Sequence, residues 1–174
     1  MINGEYKIEK YWKETIRNAA VYIGKSWSTK NINDAFLFNV IALETLLTEN
    51  HDKYRAELSS RIKSFIGWVG YWSTENYENR INEIYTKRCK LVHEGRFDLI
   101  NADDVLFTDD LLFNNIDNII NHIILFNSKE KIIEFSKKIE AEHLLGIKGK
   151  TRPKTIRFMH KNYNDKDKQE ISQT

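Results

Sequence analysis

The chain has little cysteine, little proline and no long hydrophobic run. Its 174 residues include one cysteine, Cys89, and one proline. A single cysteine excludes an internal disulfide, and without a Cys/His cluster no structural zinc site is expected. No apolar stretch approaches the roughly 20 residues that span a bilayer, and the charged amino terminus lacks the apolar core of a signal peptide. We therefore expect a cytoplasmic protein with no membrane partner and no metal.

The chain also has little net charge. Basic residues number 27 and acidic residues 25, giving a formal net charge of +2. Bulk electrostatics therefore give no argument for a nucleic-acid partner, and any such surface must come from a local patch. A hydrophobic fraction of 41% with 12% aromatic residues is typical of a folded domain and excludes disorder across the whole chain. The length indicates one domain.

Apolar residues recur at helical spacing along most of the chain and predict an all-α fold. We find no strand alternation and no internal repeat. The prediction is a bundle of about five or six helices over residues 1–147. Residues 148–174 are expected to form a flexible basic and polar tail, with contact to RNA phosphate or to a partner as the alternatives.

Two acidic pairs lie before an isoleucine-rich helix in the second half of the chain. Residues 97–110 are interpreted as an irregular acidic segment. Near its end, Thr108 is predicted to be the N-cap of the next helix. Asp103 and Asp104 would then be solvated in the loop. Asp109 and Asp110 would stand in the first turn, where negative charge is favoured by the helix dipole.

The most informative run extends from Ile84 to Gly95. One helical face is indicated by steps of three and four residues, which join Tyr77, Ile81, Ile84, Arg88 and Leu91. Arg88 thus stands where an apolar residue is expected, and its guanidinium stays charged. It should therefore have a carboxylate partner or face an anion. His93 follows in the last turn, and Gly95 is placed to end the helix.

Together with residues upstream, this run resembles the R-x4-6-H motif of HEPN domains. The similarity spans roughly Tyr11 to Leu145, and it includes the Ala-Leu-Glu helix near residues 34–47 and the Val-His-Glu-Gly ending. These features are similar to the Apea-like branch of the family. HEPN domains are all-helical, and many are metal-independent ribonucleases that act as dimers with paired motifs in one cleft.

The resemblance implies a metal-independent endoribonuclease without a cofactor. Its RNA products would carry a 2′,3′-cyclic phosphate and a 5′-hydroxyl, and a homodimer would form a composite active site. Apea-like domains are associated with antiphage defence by abortive infection, and HEPN toxins occur beside antitoxins. The resemblance therefore implies a toxin or defence effector, with an antitoxin or a regulatory domain as a further partner. The alternative is a non-catalytic HEPN module that binds RNA, a nucleotide or a protein.

The residues of the motif suit cleavage through the 2′-hydroxyl. That reaction needs one group to accept a proton and one to donate a proton, and histidine, with an ordinary pKa of about 6.5, suits both roles. The planar fork of arginine matches two phosphate oxygens. We predict Arg88 and His93 as catalytic residues, with Glu44 pairing with Arg88 and orienting it. The alternatives are a purely structural ion pair for Glu44 and Arg88, and a helix C-cap role for His93.

Three neighbouring residues, Tyr85, Lys87 and Lys90, are predicted to contact RNA. The alternatives are a core aromatic for Tyr85 and solvated surface positions for both lysines. Residues five apart on an ideal helix diverge by about 140°. Arg88 and His93 can therefore converge if the helix end unwinds, if the arginine reaches round, or if two protomers combine their motifs.

Overall fold

The computed structural model describes residues 7–50, 52, 54–66, 77–147 and 162–172. Its helices are α1 (Lys10–Ser28), α2 (Ile32–Leu47), α3 (Tyr54–Ile66), α4 (Tyr77–Glu94), α5 (Ala102–Asn121), α6 (Lys129–Leu144) and α7 (Asp165–Ser172), with a 3-10 turn at Phe97–Leu99. No strand occurs in these ranges. The predicted all-α class is therefore confirmed for the described part of the chain.

The described ranges contain seven α-helices, against the five or six that the sequence predicts. The additional helix is the short α7, within the segment interpreted as a tail, and its Lys168 lies 2.7 Å from Asp103 of α5. Residues 148–161 of that segment lie outside the described residues, so the domain boundary at residue 147 stays a prediction. None of the described helices has the length and apolar character needed to cross a bilayer.

Helix α2 lies at the centre of the bundle. Half of its 16 residues are buried, and it contacts α1, α3, α4, α5 and α6. A helix that is apolar on most sides needs neighbours on most sides, because each exposed apolar face would lose hydrophobic stabilisation. This central position gives Glu44 a fixed place inside the fold.

Both ends of α2 are held by polar side chains. At the start, the Asn31 side chain accepts hydrogen bonds from the amides of Asn33 and Asp34. At the end, Arg61 Nη1 donates to Leu47 O at 2.6 Å, and Lys129 Nζ donates to Thr45 O at 2.9 Å. Two buried cations thus satisfy carbonyls at the negative end of the helix dipole. These contacts fix the turn of α2 that carries Glu44.

Helix α5 begins earlier than the sequence analysis predicts. Its N-cap is Asn101, and a capping box joins Asn101 to Asp104, whose amide lies 3.0 Å from Asn101 Oδ1. Thr108 is fully buried within the helix and donates to Val105 O, so the prediction of Thr108 as an N-cap is wrong. The interpretation of Asp104 as a solvated loop residue is also wrong, because its side chain is fully buried. The Asn101-x-x-Asp104 spacing was the available signal.

The two tryptophans of α1 differ in burial. Trp12 is fully buried, and its Nε1 donates to Phe126 O at 2.7 Å. Trp27 is 60% exposed and stacks on Phe113 of α5, with ring centroids 5.4 Å apart. Fifteen residues at 3.6 per turn rotate Trp27 about 60° away from Trp12. The second tryptophan therefore reaches the edge of the bundle rather than its core.

The carboxylate of Asp109 on α5 is largely removed from water, which disfavours its charged form. Burial raises its pKa from 3.8 to about 6, and the charge of Asp110 acts in the same direction. Hydrogen bonds from Asn39 and Trp27 lower the pKa but do not offset the burial. Asn39 Nδ2 lies 2.8 Å from Asp109 Oδ1. The position at the N-terminus that the sequence analysis assigned to this residue is wrong, since α5 begins seven residues earlier.

We expect Asp109→Asn to change how stability depends on pH. The folded pKa lies above the unfolded value, so the wild type loses stability as pH rises from about 4 to about 6, and the loss is complete above that range. The free energy of unfolding of D109N relative to wild type should therefore be higher at pH 7.5 than at pH 5, by about 1 kcal/mol. Urea denaturation at both values measures this change. Asp117→Asn on the same helix is the control, and an equal pH-dependent change there would contradict the assignment to Asp109.

Candidate functional site

The helix that carries the motif is unbroken through His93. Helix α4 runs from Tyr77 to Glu94, and Gly95 follows with a φ of 65°. The amide of Arg96 donates to Lys90 O at 3.3 Å, which satisfies a terminal carbonyl of the helix. The predicted closing role of Gly95 is therefore confirmed. Unwinding of the helix end before Gly95 is excluded as a way to bring Arg88 and His93 together.

Arg88 forms the ion pair with Glu44 that the sequence predicts. Arg88 Nη2 donates to Glu44 Oε2 at 3.1 Å, and the side chains are 22% and 12% exposed, respectively. Burial raises the pKa of Glu44, although the charge and hydrogen bond of Arg88 lower it. The hydrogen bond is single, and it is the only one from the guanidinium to a described residue. The Nε–H group is buried and has no hydrogen-bond partner, so any donors free for an anion are among the remaining N–H groups at the end of the fork.

Tyr85 lies beside this ion pair. The Cys89 thiol, Glu44 and Arg88 are all near enough to its phenol to act on it electrostatically. Burial is the largest cause of a raised pKa for Tyr85, and Cys89 and Glu44 add to it. The phenol therefore stays protonated at neutral pH and acts as a hydrogen-bond donor. It also packs against the hydrophobic core, so the core interpretation and the RNA-contact interpretation remain compatible.

Lys87 is engaged by carboxylates of the same fold. Its Nζ lies 2.8 Å and 2.9 Å from the two oxygens of Asp104 and 3.2 Å from Glu83. Burial lowers the pKa of Lys87, but these two carboxylates together raise it. Arg80 Nη2 lies 2.5 Å from Asp103, also at the start of α5. These ion pairs fasten α4 to α5 and leave Lys87 poorly placed for the predicted phosphate contact.

Lys90 and His93 differ from Lys87 in having no hydrogen bond or ion pair from their side chains to a described residue. Lys90 is partly exposed and His93 is exposed. Two apolar neighbours of His93 are exposed as well, Val92 at 47% and Phe97 at 64%. This surface turn therefore combines an exposed imidazole with apolar area of the kind that a partner covers.

Within one chain, the structure does not bring Arg88 and His93 to one point. They lie five residues apart on a continuous helix, which separates their directions by about 140°. Glu44 holds the Arg88 guanidinium toward α2, whereas His93 faces solvent. Of the three routes to convergence, the first is excluded by the unbroken helix and the second is opposed by the ion pair. Combination of motifs from two protomers is the route that the geometry leaves open.

A polar cavity of about 310 Å³ lies next to the ion pair, between α1 and the end of α2. Its walls include Tyr11, Glu14 and Asn18 of α1, together with Glu44 and Lys129. Lys129 is only 8% exposed, and burial lowers its pKa against the opposing charges of Glu49 and Asp52. The sequence analysis identified neither the cavity nor Lys129, because no local pattern indicates a lysine that reaches another helix.

No group of three or more His, Cys, Asp or Glu side chains able to hold a metal ion occurs in the part of the chain that the structure describes. Comparison of the chain with protein-family models, with curated proteins and with solved structures gives no match. The resemblance to HEPN proteins therefore depends on the sequence motif alone and stays a prediction.

Proposed function

We propose that this protein is a metal-independent endoribonuclease of the HEPN type, acting as a toxin or antiphage-defence effector. The observation that carries the proposal is the ion pair between Glu44 of α2 and Arg88 of α4, the helix whose last turn carries His93. A charged side chain on a face of α4 that otherwise packs inward is costly unless it is paired. Here it is paired through one donor only, which leaves a partly exposed guanidinium fork beside a polar cavity.

In this proposal each residue has a defined part in cleavage. Arg88 binds the scissile phosphate and stabilises charge on its non-bridging oxygens, while Glu44 holds the guanidinium in place. His93 transfers one of the two protons, either from the 2′-hydroxyl or to the leaving 5′-oxygen, and solvent water exchanges the other. Tyr85 and Lys90 contribute a hydrogen bond and a positive charge to the bound RNA. The 2′-oxygen forms a bond to phosphorus as the bond to the 5′-oxygen breaks, which gives the cyclic phosphate.

The site is composite in this proposal, with Arg88 of one protomer facing His93 of a second. A two-fold axis near the end of α4 would place the two copies of this turn against each other. Exposed Val92 and Phe97 would then be buried in an isologous contact, while each His93 would approach the other protomer's Arg88. The divergence of Arg88 and His93 within one chain supports this arrangement. A strictly monomeric protein that cleaves RNA would contradict it.

A second candidate is a non-catalytic module that binds RNA, a nucleotide or a protein partner. The observation in its favour is that Glu44 neutralises the charge of Arg88. Within a single chain the guanidinium points toward Glu44 and away from His93. This candidate predicts binding without any change in the RNA. It requires no dimer and gives His93 no chemical role.

Cleavage of a labelled structured RNA in excess chelator tests the proposal. We expect wild-type protein to cut the RNA and to leave 2′,3′-cyclic phosphate ends, because the nucleophile is the 2′-hydroxyl and no metal takes part. A matched RNA with 2′-deoxy substitutions at the mapped cleavage sites should resist cutting there. Cleavage that needs a divalent cation, or that proceeds at the deoxy positions, would refute the mechanism. Tight binding of intact RNA would support the second candidate.

A further inference from the structure

The unpaired positive charge of the described chain is concentrated on α1 rather than on the motif helix. Three of the four lysine and arginine side chains of α4 form ion pairs: Arg80, Lys87 and Arg88. Helix α1 carries four such residues and a single carboxylate, Glu14. The four cations are all exposed: Lys10, Lys13, Arg17 and Lys25. The side chains of the first three make no hydrogen bond or ion pair with a described residue.

These cations share one face of α1. At 3.6 residues per turn, Lys10, Lys13, Arg17 and Lys25 lie within an arc of about 120° and extend over about 22 Å of helix. The single carboxylate of α1, Glu14, lies within the same arc, so the face carries four positive charges and one negative charge. The buried residues of α1, Trp12, Thr15, Ala19 and Ser26, lie on the opposite side. Like charges three or four residues apart destabilise a helix by a few tenths of a kcal/mol per pair. A bound polyanion would remove this repulsion.

The cationic face of α1 adjoins the candidate active site. Glu14 and Asn18 of α1 line the polar cavity, and Glu44 lies on its other wall while accepting the hydrogen bond from Arg88. Tyr11, also at this cavity, is 63% exposed and offers a ring on which a base can stack. The cations, the stacking surface and the cavity thus lie next to one another, and the cavity reaches Glu44, the partner of Arg88.

We infer that the outer face of α1 binds the sugar–phosphate backbone of RNA and leads the strand past the cavity to the Glu44–Arg88 pair. The inference depends on the proposed function in one respect, namely that RNA is the substrate. An anionic membrane surface fits less well, because a membrane-binding helix presents an apolar face and the apolar face of α1 is buried in the core. Val21 is the one large apolar residue within the arc of cations.

Binding of a fluorescein-labelled, fully 2′-O-methylated RNA tests the inference, because this RNA lacks the 2′-hydroxyl and stays intact. Dissociation constants are measured by anisotropy over a series of KCl concentrations. The variant is Lys10→Gln/Lys13→Gln/Arg17→Gln. Each phosphate contact on a single strand contributes about 0.7 to the slope of log affinity against log salt, so the triple variant should lower the slope by about 2. Its affinity at low salt should fall by at least about tenfold.

The matched control removes three exposed lysines from α6, as Lys131→Gln/Lys137→Gln/Lys138→Gln. It changes the net charge by the same amount, so it should leave the slope and the affinity within about twofold of wild type if α1 is the interface. Circular dichroism confirms that both variants are folded. An unchanged affinity for the α1 variant, or an equal loss for both variants, would overturn the inference.

Two further measurements separate the outcomes. Sedimentation with phosphatidylserine–phosphatidylcholine vesicles that is lost in the α1 variant, while RNA binding is kept, would assign this face to a membrane and overturn the inference.

Cleavage of unmodified RNA distinguishes failure of the inference from failure of the proposed function. An unchanged KM in the α1 variant would refute the inference alone. Binding that depends on α1 without any cleavage by wild type would support the inference and refute the enzyme.

Discussion

His93→Ala is expected to reduce RNA cleavage by about 10²–10⁴-fold, the contribution typical of a general acid or base. The imidazole lies on the surface in the last turn of α4 and makes no contact by hydrogen bond or ion pair with a described residue, so it is free to transfer a proton to or from RNA. Because the His93 side chain is exposed and makes no hydrogen bond to a described residue, its removal should leave the melting temperature within about 1 °C of wild type.

The measurement is a single-turnover cleavage rate in excess chelator, recorded across pH 5 to 9 for wild type and variant. The wild-type profile should show an inflection caused by His93, and this inflection should be absent from the residual activity of the variant. His143→Ala is a close control, since His143 is also an exposed residue in the last turn of a helix. Equal rates for the two variants would contradict a proton-transfer role for His93.

Arg88→Met is expected to lower both cleavage and stability. Loss of the guanidinium removes the group that stabilises charge on the phosphate, which should reduce the cleavage rate by about 10²–10³-fold. It also leaves the carboxylate of Glu44, which is 12% exposed, without its partner. We expect the free energy of unfolding to fall by about 1–3 kcal/mol at neutral pH.

The double variant Glu44→Gln/Arg88→Met separates the structural part of the ion pair from its functional part. Replacing the carboxylate with a neutral amide removes the buried unpaired charge, so most of the lost stability should return. The cleavage rate should stay as low as in the single variant, because no guanidinium is present. Urea denaturation and cleavage rates of the three proteins measure both effects. Cleavage that recovers together with stability would show that Arg88 is a structural residue.

The motif and its partner could be predicted because both depend on local spacing. Arg88 interrupts an apolar face of α4, and Glu44 stands within the most apolar helix of the chain. Two isolated charges inside a packed bundle have few ways to be neutralised, so their pairing follows from the cost of burial. The role of Gly95 after the last residue of α4 could also be predicted from local sequence. Glycine adopts the left-handed conformation that ends a helix without a steric penalty.

The start of α5 and the partner of Lys87 could not be read in the same way. Acidic residues at 103–104 and 109–110 resemble a solvated loop when only composition is considered. In the structure Asp104 caps the helix and also binds Lys87 across the interface with α4. The same holds for Lys129, which crosses to the end of α2. Such contacts depend on which helices pack against each other, and the spacing of residues in the sequence does not predict that.

Pairing between elements also decides where positive charge is available. The net charge of +2 gives no indication of a nucleic-acid surface. Once the helices are assembled, carboxylates of α2 and α5 neutralise Arg88, Lys87 and Arg80 on α4. On the outer face of α1, by contrast, the side chains of Lys10, Lys13 and Arg17 form no ion pair with a described carboxylate. Of the two lysines predicted to contact RNA, Lys87 is held in ion pairs, whereas Lys90 forms no ion pair with a described residue.

The most direct test of the composite ribonuclease site is RNA cleavage, in excess chelator, by a mixture of two inactive variants. Differently tagged His93→Ala and Glu44→Gln/Arg88→Met chains are coexpressed, and the dimers that carry both tags are purified. Each mixed dimer has one site with an intact Arg88 and an intact His93, so it should cleave at about half the wild-type rate. A mixed dimer as inactive as its parents, or wild-type cleavage by a monomer, would contradict the account.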